Sequence, residues 1–180
     1  MTKIFTIKKT TNKKRKKKYP YKIKLAAGPN VLVPSQYDFA NQFLQKHGCI
    51  VAAFYMGVRY LGIKISMNQC LKHLRKTDKE GHINYNLRIV ANLINKLGNN
   101  NPAVFYKKPS KKKMKKALEE GGMILFTEKE PIHTVVLLWD GRKIKRFSDG
   151  KYKNVTLNWE IRKRCGDPWY GGCVVVKKAK

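Results

Sequence analysis

The stretch Gly48-Cys49-Ile50-Val51-Ala52-Ala53-Phe54-Tyr55-Met56-Gly57-Val58-Arg59-Tyr60-Leu61-Gly62 decides how the chain is read. A cysteine directly follows a glycine and heads an apolar run of helical length. The run stops at Gly62, a residue type favoured just past a helix end. A thiol at the start of such a helix meets unpaired N–H groups and the positive helix pole. Both favour the thiolate, the form that attacks carbonyl carbon. The other reading of Cys49 is packing, because free cysteine is among the most buried residue types.

On the C-terminal side, the pattern predicts helices first and strands second. Ser66 is placed to cap a helix over Met67–Lys76. Asn84 or Asn86 opens another, with Leu87, Val90, Leu93, Ile94 and Leu97 at helical spacing and Gly98 beyond its end. Ala103–Tyr106 reads as a short strand. Ser110 caps a very basic helix, Lys111–Glu120, ended by Gly121-Gly122. Strands then follow at Met123–Thr127 and Ile132–Trp139, the second apolar on both faces as a central strand requires. Asp140-Gly141 reads as a tight hairpin turn into Lys143–Phe147. A short helix is expected within Thr156–Lys163, and Cys173–Val176 closes the sheet. The layout is α+β, with N-terminal helices packed on a C-terminal antiparallel sheet.

On the N-terminal side, Ser35 is placed to cap a short helix over residues 36–44. Residues 25–35 read as extended chain punctuated by Gly28-Pro29 and Pro34. Residues 1–24 carry ten lysines and one arginine with no acid, a composition that cannot bury itself. They read as a basic, flexible tail ahead of a single domain over residues 25–180. The tail is either an electrostatic tether to a polyanion or a solvated end.

The 180 residues, 42% hydrophobic, suffice for one domain with a real core. The net charge of +29 favours anionic partners such as nucleic acid, anionic lipid or acidic polymers. The lysines of residues 111–116 read either as a polyanion-binding face or as the solvated face of a surface helix. No apolar run is long enough to span a membrane, and no hydrophobic segment follows the basic N-terminus, so a cytoplasmic location is expected. Cysteines at 49, 70, 165 and 173 form no CxxC pair and no zinc spacing with histidine. No metal and no cofactor are expected.

A thiolate nucleophile needs a base within hydrogen-bond reach, and the base needs an orienting acceptor. His133, near the start of the central strand, is the best base; its other reading is a core histidine bonded to a backbone carbonyl. A two-residue turn at Asp140-Gly141 would set His133 opposite about residue 148, with Asp149 within one residue of it. Asp149 could then hold the imidazole's tautomer, or simply form an Asp-Gly turn. His47 is a loop histidine close to Cys49 without a partner, and His73 and His82 sit in polar surroundings. Cys70, Cys165 and Cys173 read as structural. An oxyanion needs two donors. The Cys49 backbone N–H is the natural first, and Gln45 or Gln42 supplies a side-chain amide upstream.

Cys49, His133 and Asp149, in that order, with a Cys-headed helix and a His on the central strand, resemble the papain-like cysteine peptidases. Within them the chain is most similar to a small bacterial group: the double-glycine leader peptidases of bacteriocin exporters and their stand-alone relatives. The segments carrying the resemblance are Gln45-Lys46-His47-Gly48-Cys49, Gly57–Gly62 and Pro131-Ile132-His133-Thr134-Val135-Val136-Leu137, across roughly residues 36–176. The family's glutamine about six residues before the cysteine is replaced here by Phe43. Its common Cys-Gly-Pro is replaced by Cys49-Ile50-Val51. The resemblance implies a papain-like fold and a bacterial thiol protease using Cys49, His133 and Asp149 on a peptide or protein substrate, such as a leader or pro-peptide. The other class of reading is an inactive relative, or a basic protein that binds a polyanion such as nucleic acid.

Overall fold

A computed structural model describes residues 21–25, 28–34, 36, 41–128, 133–148, 150–158 and 172–177. The chain opens with strands β1 (Tyr21–Leu25) and β2 (Gly28–Val33), which form a separate antiparallel pair. Strand structure thus begins inside the stretch read as tail. Next come α1 (Gln42–His47), α2 (Cys49–Tyr60), α3 (Met67–Arg75) and α4 (Leu87–Leu97). The remainder is β3 (Ala103–Tyr106), α5 (Lys111–Glu119), β4 (Met123–Glu128), β5 (His133–Trp139), β6 (Ile144–Ser148), β7 (Lys151–Val155) and β8 (Cys173–Val176). The architecture is α+β: helices, then an antiparallel sheet.

The helices start where side chains satisfy their first N–H groups. Asn41 accepts from the N–H groups of Phe43 and Leu44 and caps α1, while Ser35 and residues 37–40 of the helix expected there lie outside the described residues. Ser66 and Gln69 form a reciprocal capping box on α3, Asn86 caps α4 and Ser110 caps α5. Gly62, at φ +85°, takes the left-handed position just past α2, as the sequence predicts.

Six strands form the main sheet in the order β3-β8-β4-β5-β6-β7, and every neighbouring pair is antiparallel. The C-terminal strand β8 enters between β3 and β4. Strand β5 lies inside the sheet and splits its side chains between two cores. Val136 and Leu138 pack with α2, α3 and α4, while Val135 and Leu137 pack with α5 on the opposite face. Helix α2 is buried along nine of its 12 residues because it runs beneath the sheet with α3 and α4 flanking it. At Gly57 an added Cβ would lie 3.0 Å from Ile94 Cδ1, so this glycine sets how closely α2 and α4 approach.

Two features of the main sheet differ from the sequence reading. Strand β7 has an exposed, non-alternating pattern and gives no period-2 signal. The β5–β6 loop is wider than a two-residue turn: Trp139 pairs with Ile144, leaving residues 140–143 in the loop. The Asp140 carboxylate accepts the N–H groups of Arg142 and Lys143 at 2.9 and 2.7 Å, which stabilises this wider form. Of the expected helix in 156–163, Leu157 and Asn158 are helical and the rest lies outside the described residues.

Candidate active site

Gly48 both closes α1 and opens α2. Its N–H donates to the Leu44 carbonyl at 2.7 Å, and its own carbonyl accepts from Ala52 N–H at 3.0 Å. Cys49 is therefore the first residue of α2, and it is 6% exposed. Its Sγ accepts the Thr134 N–H at 3.4 Å, a contact between residues 85 apart in sequence. The start of the central helix thus touches the start of the central strand. An N–H aimed at sulfur and the helix pole beneath it both favour negative charge there.

His133 is the first residue of β5 and is half-buried. Its Nε2 lies 2.5 Å from Ser148 Oγ at the end of β6. Cys49, His133, Ser148 and Gln36 line one small cavity, with Met56 and Phe147 among its apolar walls. Its volume is about 20 Å3, room for roughly one water molecule. By strand parity Thr134 faces α2, whereas His133 and Ser148 share the parity of Glu128 and Arg146. Both still line the cavity, beyond the point where the β5–β6 ladder stops at Val136–Phe147.

The wider hairpin loop shifts the register by two positions from that of a two-residue turn, so an extended ladder would set Ser148 diagonal to His133 rather than opposite it. Asp149, the orienter expected from the sequence, lies outside the described residues, as does Cys165. The imidazole's partner on the described side is the Ser148 hydroxyl. A two-residue turn points to about residue 148, and Ser148 is the described residue found at the imidazole.

Neither glutamine expected at the oxyanion lines this cavity. Gln42 is exposed at the start of α1, and Gln45 meets the site through its backbone carbonyl, which accepts from Gln36 Nε2 at 2.7 Å. Gln36 itself is 4% exposed, and its Oε1 has no hydrogen-bond partner among the described residues. No spacing rule singles out a glutamine 13 positions before the cysteine.

Behind His133 stands a buried ion pair. Glu128 is directly across the β4–β5 ladder from His133. Arg146 Nε and Nη2 donate to Glu128 Oε1 at 2.9 and 2.6 Å. Removing one partner of such a pair costs about 3–5 kcal/mol, so it holds β4, β5 and β6 in fixed relation just beneath the imidazole. Thr127 and Thr134, with hydroxyls 3.2 Å apart, tie β4 to β5 on the α2 face.

The remaining candidates pack or face solvent. Cys70 and Cys173 are buried in the two cores, and burial pushes the Cys70 thiol up to about 12. His47 is exposed and its ring lies 4.6 Å from that of Phe43. His82 pairs with Glu80 and Asp78 on the surface. Burial and the nearby Lys76, Lys96 and Lys72 hold His73 below the ordinary histidine range. Among the described residues, no helix is long and apolar enough to cross a membrane.

No protein-family model matches this chain, and comparison with curated proteins finds no similar sequence. The class of the site therefore rests on its own geometry: a cysteine heading a buried helix, and a histidine opening the strand that this helix touches.

Proposed function

We propose that this protein is a papain-like cysteine peptidase. The observation that carries the reading is the shared cavity of Cys49 and His133, with the Cys49 sulfur receiving the N–H of the residue next to His133. In this reading His133 Nδ1 takes the Cys49 proton, and the thiolate attacks the scissile carbonyl carbon. The oxyanion is received by the Cys49 backbone N–H and by the second Nε2 hydrogen of Gln36, the first being held by the Gln45 carbonyl. His133 returns the proton to the leaving amine, leaving a thioester on Cys49. Water, deprotonated by His133, then hydrolyses the thioester. Ser148 holds Nε2 throughout, and stabilising the imidazolium is the role that the family resemblance gives to Asp149, which lies outside the described residues. A leader- or pro-peptide is the substrate class the family resemblance suggests.

The test is the pH dependence of iodoacetamide alkylation, resolved by residue with mass spectrometry, in the wild type and in His133→Ala. Cys49 is expected to react rapidly well below the ordinary thiol pKa of about 8.5, and to lose that reactivity in the variant. Cys70, with its thiol pushed up to about 12, serves as the unreactive internal reference. Slow alkylation of Cys49 that the variant leaves unchanged would mean a packing cysteine and would end the peptidase reading.

A further inference from the structure

On the α5 face of the sheet lies a groove of about 750 Å3, bounded by α5, the β5–β6 loop and β7. Its floor is apolar: Trp139, Leu118, Ile144, Val155 and Leu157. Its rim is cationic: Lys111 and Lys115 from α5, Arg142 and Lys143 from the loop, and Lys153 from β7. The single carboxylate among the described lining residues is Glu119, 3.5 Å from Lys115 in an exposed pair that offsets little of this charge.

Three separate elements bring their cations to one concavity. Lys111, Lys115 and Leu118 fall on one stripe of α5, so that helix turns both charge and floor towards the groove. Leu157, close behind β7, packs in the α5 core and adds to the floor. Charge alone would attract any polyanion, but the apolar floor narrows the choice. Duplex nucleic acid presents phosphates outward and buries its base faces. A membrane surface is met by protruding apolar side chains rather than by a hollow. A single strand carries flat apolar bases beside phosphates, the complement of an apolar floor within a cationic rim.

We propose that this groove binds single-stranded nucleic acid, with a base against Trp139 and backbone phosphates on Lys111, Lys115, Lys143 and Lys153. The groove and Cys49 lie towards opposite faces of the sheet, so the proposal stands apart from the peptidase reading. Cys49→Ala should bind as the wild type does.

The experiment is fluorescence anisotropy of labelled oligothymidine with the full chain, across a salt series. One variant changes Lys111, Lys115, Lys143 and Lys153 to Gln. A matched control changes the exposed Lys64, Lys72, Lys76 and Lys96 on the α3–α4 side to Gln. The groove variant should bind about a hundredfold more weakly, with a salt slope shallower by roughly 0.7 per lysine, while the control stays near wild type. Trp139→Leu should weaken binding about tenfold. All the lysines changed are on the surface, so both lysine variants keep the fold, as circular dichroism would verify. Equal losses in groove and control variants would overturn the proposal, because the affinity would then belong to the diffuse +29 charge. Tighter binding of the same sequence as a duplex, or of anionic vesicles, would also overturn it.

Discussion

Gln36 is the residue whose role is most sharply exposed by position. It is buried in the cavity that Cys49 lines, with one amide hydrogen on the Gln45 carbonyl and an Oε1 that has no hydrogen-bond partner among the described residues. A buried polar atom without a partner costs free energy and marks a functional or strained site. Oxyanion stabilisation and thiolate formation can be separated experimentally. Displacement on iodoacetamide forms no oxyanion, whereas acyl transfer from p-nitrophenyl acetate does. Gln36→Ala is expected to slow the acyl-transfer burst by about a hundredfold or more while leaving Cys49 alkylation unchanged. Equal slowing of both would assign Gln36 to holding the helix start rather than to the oxyanion. The sequence pointed to Gln42 and Gln45, which lie just upstream of Cys49 around the position where the resembled family carries its glutamine. Gln36 returns to Cys49 only through the fold.

At the scale of elements, helix starts were legible because capping is local. Ser66 and Gln69 satisfy each other's backbone N–H groups at 3.2 and 2.8 Å, within four consecutive residues. Ser66→Ala should lower stability by about 1 kcal/mol, read as a lower urea midpoint at constant slope. An unchanged midpoint would show that tertiary packing alone holds α3. Strand edges were less legible. Strand β7 pairs by backbone bonds while most of its side chains stand in solvent, so its sequence carries no alternation. The β5–β6 loop turned on a side-chain choice, Asp140 bonding forward to two N–H groups, that the Asp-Gly pair alone does not reveal.

For the whole molecule, charge is the dominant fact. Protonating its 11 acids leaves 40 lysines and arginines, together with four histidines, unopposed, and self-repulsion then works against the fold. Asp140 adds a specific acid dependence. The Lys143 N–H, joined by the Arg142 N–H and Lys145, lowers its carboxyl from the usual 3.8 to about 2. Because the folded value is the lower one, Asp140 contributes stability in full above about pH 4, and that contribution is lost as pH falls through about 2. Asp140→Asn should therefore melt below the wild type at pH 5 and converge on it by about pH 2 in thermal scans. A constant gap across that range would place the effect in loop geometry rather than in ionisation.

The sequence by itself determined that helices precede an antiparallel sheet, the caps of α3 and α5, the apolar helix headed by Cys49, and the apolar strand over Ile132–Trp139. Each depends on neighbours a few residues apart, where propensity, capping and periodicity act. Only the tertiary structure brought Cys49 Sγ to the Thr134 N–H, set Ser148 on the imidazole, and enclosed Gln36 beside the thiol. It alone gathered lysines from α5, the β5–β6 loop and β7 around one apolar floor. These contacts follow from strand register, from the width of one loop and from the end of a ladder, which are properties of pairing between distant segments.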